Sequence, residues 1–444
     1  MTTYWCEHAV LDGQVETGVV VEISAGVITS LSPDQPADGH PRLAGLTIPG
    51  LANCHSHAFH RALRGRTQCG RGSFWTWREQ MYLLASRLDP DTYYGLARAV
   101  YREMAAAGIT SVGEFHYLHH TPDGSSYDDA NVLSRALVAA ARDVGIRIAL
   151  LDTCYLTSAI GIEVEGVQRR FGDGDVASWQ ARVEDMSAVV DSEPDAGVVL
   201  GAAIHSVRAV PRTALPLVAG WAQAGMRPLH VHVSEQVAEN EACDRAYGCT
   251  PTELLADGDV LGPRTTAVHA THLTERDIVL LGRSRSSACF CPTTERDLGD
   301  GIGPARGLQS AGSTLTLGSD SHAVIDPFEE MRALEVDERL ATQLRGHWSA
   351  AQLLEAGTSH GHASLGFDGA GRIAVGSPAD LVTLDLRTPR TAGSGPVLET
   401  AVFAASASDV AHVVCDGRVV ASRDDHEQIG GDLESAIEAA WGEA

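Results

Sequence analysis

The stretch Asn53–Arg61, NCHSHAFHR, puts three histidines, His55, His57 and His60, within six positions of a 444-residue chain that carries 19 in all. Imidazole binds transition metals and moves protons near neutral pH, so the group poses a choice between a site and ordinary packing. In an extended strand, residues i and i+2 face the same way, so His55 and His57 point together. PLHVHVSEQ repeats the pattern with His230 and His232 and sets Glu235 just beyond. AIHSVR brings His205 and Arg208, AVHATH brings His269 and His272, and TLGSDSH brings Asp320 and His322. Each group follows an apolar run that reads as a strand. Imidazole and carboxylate donors gathered at strand ends suit Zn²⁺, and Fe²⁺ or Mn²⁺ can use the same set. A catalytic ion keeps an open position for water, so not all of these groups can be ligands.

Plainer roles are open to several of them. His230 lies deeper than His232 and fits a hydrogen-bonded support. His272 and His322 fit loop or supporting positions. His116, His119 and His120 of EFHYLHH fit the lining of a loop. Arg78 sits in FWTWREQMY among aromatics that read as helix packing, so a surface ion pair and a ligand contact are both open to it. Glu79 and Asp326 read as structural, and Cys54 as a small buried apolar residue.

The elements that must carry these groups alternate. Strand candidates are GLANCHSH, ITSVGEFH, RIALLDTCY, VVLGAAIHS, RPLHVHVSE, TTAVHATH, SSACFCP and STLTLGSD. Helix candidates such as PDTYYGLARAVYREMAAAG and NVLSRALVAAARDVG lie between them. Eight strand-then-helix repeats predict an α/β fold, a closed parallel (β/α)8 barrel over residues 49–370, whose sites form at the C-terminal strand ends. Residues 1–48 and 371–430 read as short strands with turn residues between them. Together they predict a small β-sandwich made from both chain ends, followed by a helix over 431–444.

Composition narrows the function. Hydrophobic residues are 44% and charged residues 20%, which is ordinary for a globular chain. The formal net charge of −25 argues against a nucleic-acid or anionic-membrane partner, since both need clustered Lys and Arg. No apolar run reaches the roughly 18 residues of a membrane span. The N-terminus lacks the basic and apolar regions of a signal peptide. Nine cysteines, an odd number scattered through the chain, read as free thiols. The expected compartment is therefore the cytoplasm. Cys289 and Cys291 of CFC fit strand alternation better than a metal knuckle.

His-x-His at the start of a barrel, a His on strand five, a His on strand six and an Asp after strand eight resemble the amidohydrolase superfamily. GSPADLVTLDL is similar to the strand that returns such chains to their β domain. The resemblance covers nearly the whole chain. HVHVSEQ, with His-x-x-Glu, resembles the deaminase branch. Within that branch HSHAFHRAL, SFWTWREQMY, GEFHYLHH, HSVRAV, VHATHLT and CPTTERDLGDGI are similar to the formimidoylglutamate deiminases of histidine degradation. His60 is a departure, since that family often has Gln there. The resemblance implies His55, His57, His232 and Asp320 as metal ligands. It implies one ion per chain, as no strand-four lysine is placed to bridge two. Glu235 and His269, with Asp320, become the proton-handling residues, and His60, Arg78, Tyr117, His205 and Arg208 hold the substrate. A homodimer is also expected.

The implied reaction is metal-dependent hydrolytic deimination of N-formimidoyl-L-glutamate to N-formyl-L-glutamate and ammonia. Its substrate carries two carboxylates, and a guanidinium fork such as Arg208 or Arg78 grips a carboxylate at two points. One alternative is a mononuclear-zinc aminohydrolase of a ring substrate, guanine or an adenosine derivative. It needs an aromatic-walled pocket, and aromatic residues are only 5% of the chain. The other is a non-catalytic metal-binding barrel, a class that typically loses ligands or the proton-carrying Glu; this chain keeps both.

Overall fold

A computed structural model describes residues 1–68, 72, 74–193 and 197–442. Cys69, Ser73 of SFWTWREQMY and the last two positions of the expected C-terminal helix lie outside them.

The chain begins with β1 (Thr2–Leu11), β2 (Gln14–Ser24), β3 (Val27–Ser32) and β4 (Arg42–Pro49). The barrel strands follow as β5 (Leu51–Ser56), β6 (Ile109–His116), β7 (Arg147–Cys154), β8 (Val198–Ile204), β9 (Leu229–Val233), β10 (Thr265–His269), β11 (Ser287–Phe290) and β12 (Leu315–Leu317). These eight form one parallel sheet in chain order, with helices between successive strands. Parallel strands covered by helices are buried on both faces and so read as near-continuous apolar runs. That is what made them visible in the sequence. Capping marks helix starts: Asp89 and Thr92 form a capping box on Pro90–Ala106, and Asp326 caps Pro327–Thr342.

The eighth seam closes the barrel without a full ladder. A single parallel bridge joins Ser56 to Asp320. Asp320 N–H donates to the His55 carbonyl at 2.9 Å, and His57 N–H donates to the Asp320 carbonyl at 3.3 Å. Gly318 permits this approach. A Cβ there would stand 2.7 Å from His55 Cβ and 2.9 Å from the His55 backbone nitrogen and oxygen.

After the barrel come β13 (Leu381–Leu384), β14 (Val410–Cys415) and β15 (Arg418–Ser422). Both chain ends join in one seven-stranded sheet, ordered β15-β14-β13-β4-β1-β2-β3. The two-residue turns Asp12–Gly13 and Asp416–Gly417 have positive φ at both positions, the hairpin geometry that Asp-Gly favours. The sheet has its own apolar cluster, including Cys6, Val19, Val21, Ile28 and Leu381. Asp380 of GSPADLVTLDL ties it to the barrel. Its carboxylate takes both terminal nitrogens of Arg147 on β7, one at 3.2 Å, and Arg147 also pairs with Asp416. The final helix, His426–Trp441, packs along Pro90–Ala106, and Trp441 Nε1 donates to the Ala62 carbonyl at 3.0 Å. Among the described residues no helix is long and apolar enough to cross a membrane.

Gly318→Ala should cost about 1–3 kcal/mol, the usual range for overpacking a tight core. Urea unfolding of the purified variant measures it, and an unchanged midpoint would show that the seam has room to spare.

Candidate metal centre and active site

His55 and His57 leave the end of β5, His232 lies on β9, and Asp320 follows β12. One donor atom from each of the four lies within 4.8 Å of all the others, and all four residues are buried. His55 Nε2 is 3.0 Å from His232 Nε2 and 3.3 Å from Asp320 Oδ1, and His57 Nε2 is 3.4 Å from that oxygen. Donors at 2.0–2.1 Å from a tetrahedral centre stand roughly 3.3 Å apart, so the spacing suits a single cation.

The ring protons agree. His57 Nδ1 donates to the Phe115 carbonyl at 2.9 Å, and His232 Nδ1 donates to the His205 carbonyl at 2.8 Å. A carbonyl only accepts, so both rings present the Nε2 lone pair to the centre. Burial pushes His55 down to about 4 and His57 to about 3, and holds His232 well below the ordinary histidine range. All three imidazoles are therefore neutral at neutral pH, as metal ligands must be. Burial alone would raise the Asp320 carboxyl, but its hydrogen bond from His55 and the neighbouring imidazoles hold it well below the usual carboxylate range.

His269 stands apart from these rings. Burial works against its charge, yet Glu235, Glu295 and Asp320 together raise it to about 10. Its Nε2 is 3.9 Å from both Glu235 Oε1 and Asp320 Oδ2, and its Nδ1 bonds Glu295 Oε1 at 3.4 Å. Burial raises the Glu235 carboxyl, and His269 pulls it the other way. The result is a buried acid and a buried base on one side of the four donors, the pairing that general acid–base chemistry requires.

These groups open into a cavity of about 470 Å³, which includes some open solvent. His57, His232 and Asp320 form its floor, with His55 fully buried beneath. His60, Arg78, Tyr117, His205, Arg208, Glu235 and His269 also line it, so the structure brings every candidate to one place. His60 Nε2 and Tyr117 Oη are 2.7 Å apart. Arg78 lies over the rings of Trp75 at 4.5 Å and Tyr82 at 5.4 Å. Stacking holds the guanidinium by its faces and leaves its N–H edges open. Arg208 Nε is 3.9 Å from Glu239 Oε1, beyond hydrogen-bond reach.

Sequence reasoning missed Glu295, which braces His269 from the helix after β11; nothing in the spacing of CPTTERD signals that contact. It also read Phe74 and Trp77 only as helix packing, whereas both line the cavity with Met81 and Leu298. The plainer roles hold for others. His230 bonds the Ser364 carbonyl at 3.3 Å. His119 and His120 are buried against Thr153 and Asp173, away from the cavity. Cys54, Cys289 and Cys291 share a buried cluster. Five residues at strand ends around the mouth, Ser234, His269, Ala270, Asp320 and His322, have left-handed φ between 40 and 67°. Such backbone costs energy in a residue with a side chain and clusters at functional sites.

A parallel barrel with three imidazoles, a carboxylate and an acid–base pair at its C-terminal mouth is built as a metal-dependent hydrolase. Residues 46–420 match the amidohydrolase family model, and the chain belongs to that family, acting on C–N bonds. It is 36% identical to a formimidoylglutamate deiminase of Pseudomonas aeruginosa, over 95% of this chain and 94% of that one. It is 28% identical to a 5-methylthioadenosine/S-adenosylhomocysteine deaminase of Halobacterium salinarum, over 93% and 89%. The crystal structure of an amidohydrolase from Brucella melitensis superposes with a TM-score of 0.90 at 30% identity, covering 99% of this chain and 100% of that one.

Acid should unfold the metal-free protein early. His55, His119 and His230 have folded values of about 4 and His57 of about 3, below the 6.5 of a free histidine. Between those values the unfolded chain binds more protons, so stability is full above about 6.5 and drains as pH falls through about 4. His269 acts oppositely, its contribution being lost only as pH rises through about 10. Urea midpoints of chelator-treated protein should fall steadily from pH 7 to pH 4.5, and a flat profile would contradict the buried neutral state.

Proposed function

We propose that the protein is a formimidoylglutamate deiminase that hydrolyses N-formimidoyl-L-glutamate to N-formyl-L-glutamate and ammonia, with one Zn²⁺ held by His55, His57, His232 and Asp320. The convergence of Arg78 and Arg208 on a cavity floored by those donors carries this reading. In a chain of net charge −25, two arginines aimed into one small cavity suit a ligand with two carboxylates. The 36% identity to a deiminase of that name supports it along the whole chain.

Three nitrogens and one oxygen suit zinc, with Fe²⁺ or Mn²⁺ compatible. Bound there, the ion would act as a Lewis acid and lower the pKa of a water from 15.7 to about 7. The residues of the chain do the rest. Asp320 and the protonated His269 orient the attacking water, and the Asp320 carboxylate takes up its proton. Attack on the formimino carbon makes that carbon tetrahedral. That proton, and the one the new hydroxyl sheds as the carbonyl forms, both reach the terminal nitrogen through Glu235, the C–N bond breaks, and ammonia leaves. Arg78 and Arg208 hold the carboxylates, and His60, Tyr117 and His205 orient the formimino end. A second reading, a ring-substrate aminohydrolase, draws on the aromatic walls Phe74 and Trp77 and on the 28% identical adenosine-type deaminase. Ammonia release from formiminoglutamate against guanine and adenosine derivatives decides between them. Faster turnover of a ring substrate overturns the first.

Glu235→Gln should keep one ion per chain by elemental analysis and stay folded while losing roughly 10²–10⁴-fold in turnover. Loss of the ion instead would make Glu235 a ligand. Arg208→Met should lower kcat/KM for formiminoglutamate on the order of 10²-fold and spare a neutral formamidine, since a charge-assisted bond is worth roughly 1.5–3 kcal/mol. Equal losses on both substrates would mean that Arg208 supports the site without reading a carboxylate.

A further inference from the structure

The seam between β5 and β12 carries three of the four converging donors. A line of buried side chains outside the cavity stitches it. Ser56 stands between His55 and His57, and its hydroxyl donates to Glu114 Oε2 at 2.7 Å. Glu114 Oε1 accepts the Ala58 N–H, also at 2.7 Å. His322 Nε2 is 3.1 Å from Ser56 Oγ, and its Nδ1 is 2.9 Å from Ser319 Oγ. Asn53 Nδ2 donates to Ser319 Oγ at 2.7 Å, and Ser319 N–H donates back to Asn53 Oδ1 at 2.9 Å. Asn53, Ser56, Glu114, Ser319 and His322 are all buried.

The direction of each bond follows from the inventory of protons. Ser56 has one hydroxyl proton and gives it to Glu114, so its oxygen accepts from His322 Nε2–H. In a neutral ring Nδ1 is then the acceptor and takes the Ser319 hydroxyl proton. The Ser319 oxygen is left to accept from Asn53. The line therefore runs one way, from Asn53 to the Glu114 carboxylate, and every proton in it has a partner. A network satisfied in this way is rigid, whereas a partly satisfied one is not.

Rigidity is what this seam needs. Asp320 and His322 are left-handed, at φ 40 and 57°. The donors of His55, His57 and Asp320 approach to 3.3–3.4 Å. Lone pairs that close oppose one another until a cation lies between them. Arg64 adds to the hold by donating from Nε to the His322 carbonyl at 2.7 Å. The line grips both chain segments, Asn53 to Ala58 and Ser319 to His322, that end in the donors.

We propose that the line Asn53–Ser319–His322–Ser56–Glu114 is a positioning clasp that presets His57 and Asp320 for the cation, and that it sets metal affinity more than it sets stability. The clasp rests on reading the four donors as a metal site. It makes no contact with substrate, and its members act only through the ligands they hold.

Ser56→Ala and Glu114→Gln in the full-length chain test it, with zinc alone as the probe in competition with a chelator. Zinc affinity should fall roughly 10–100-fold, the usual effect of removing a partner behind a ligand. Unfolding midpoints of the metal-free proteins should fall by less than the loss of zinc affinity, a fall that comes from the buried His322 N–H left without its partner. Should Glu114→Gln fail to fold, Ser56→Ala, which deletes one oxygen and leaves Glu114 its bond from Ala58, carries the test. Zinc affinity within twofold of wild type overturns the clasp. So does a loss of metal-free stability equal to the loss of affinity. A wild-type protein that holds no divalent ion overturns the metal reading and the clasp with it, whereas tight zinc in wild type and variants alike overturns the clasp alone.

Discussion

Four buried acceptors crowded around one point constrain everything else in this protein. His57 and His232 spend their ring protons on backbone carbonyls, so the His55 ring proton or a single cation must answer their two lone pairs and a carboxylate oxygen. Unpaired buried polar atoms cost energy, and the cost grows as the surroundings exclude water. The arrangement persists because the barrel closes at this place. The Ser56–Asp320 bridge, the Gly318 approach and the left-handed Asp320 all serve to bring β12 against β5.

Around that point the protein sorts charge by burial and neighbour. The same imidazole is neutral at His55 and His57, where burial dominates, and favours its charged form at His269, where three carboxylates surround it. Neutral and charged imidazoles are thus distinguished by environment and not by residue type. Burial likewise pushes Glu239 up to about 7 and Asp300 up to about 8, both near Glu235. Arg78 and Arg208 are the arginines lining the cavity among the described residues, and neither is closed in a direct hydrogen bond to a carboxylate.

The remaining buried polar groups serve the frame. Arg182 is bonded to both Asp152 and Asp173, with Trp179 and His120 completing that cluster. Arg147, Asp380 and Asp416 lock the terminal sheet to the barrel. In both clusters every charge meets its opposite, as buried ions must.

Much of this was legible in the chain itself. Apolar runs of strand length separated by helix-length segments announced eight repeats, because parallel strands are buried on both faces. The i, i+2 spacing of His55 with His57 and of His230 with His232 announced which side chains share a face, because a strand has a period of two. Turn residues between short strands announced the β texture of both chain ends. The strand-end position of the polar residues located the site. Three-dimensional packing decided the rest. The strand register already placed His230 deeper than His232, and packing supplied its partner, the Ser364 carbonyl, while His232 reaches the centre. Glu295 finds His269, Glu114 finds Ser56, and Ser319 finds Asn53 across separations of 26, 58 and 266 residues. The first two arise where neighbouring barrel strands pack, and the last where the eighth strand returns to the first. Local periodicity therefore determined which elements form and which faces they present, while closure of the barrel decided which side chains meet and in which protonation state.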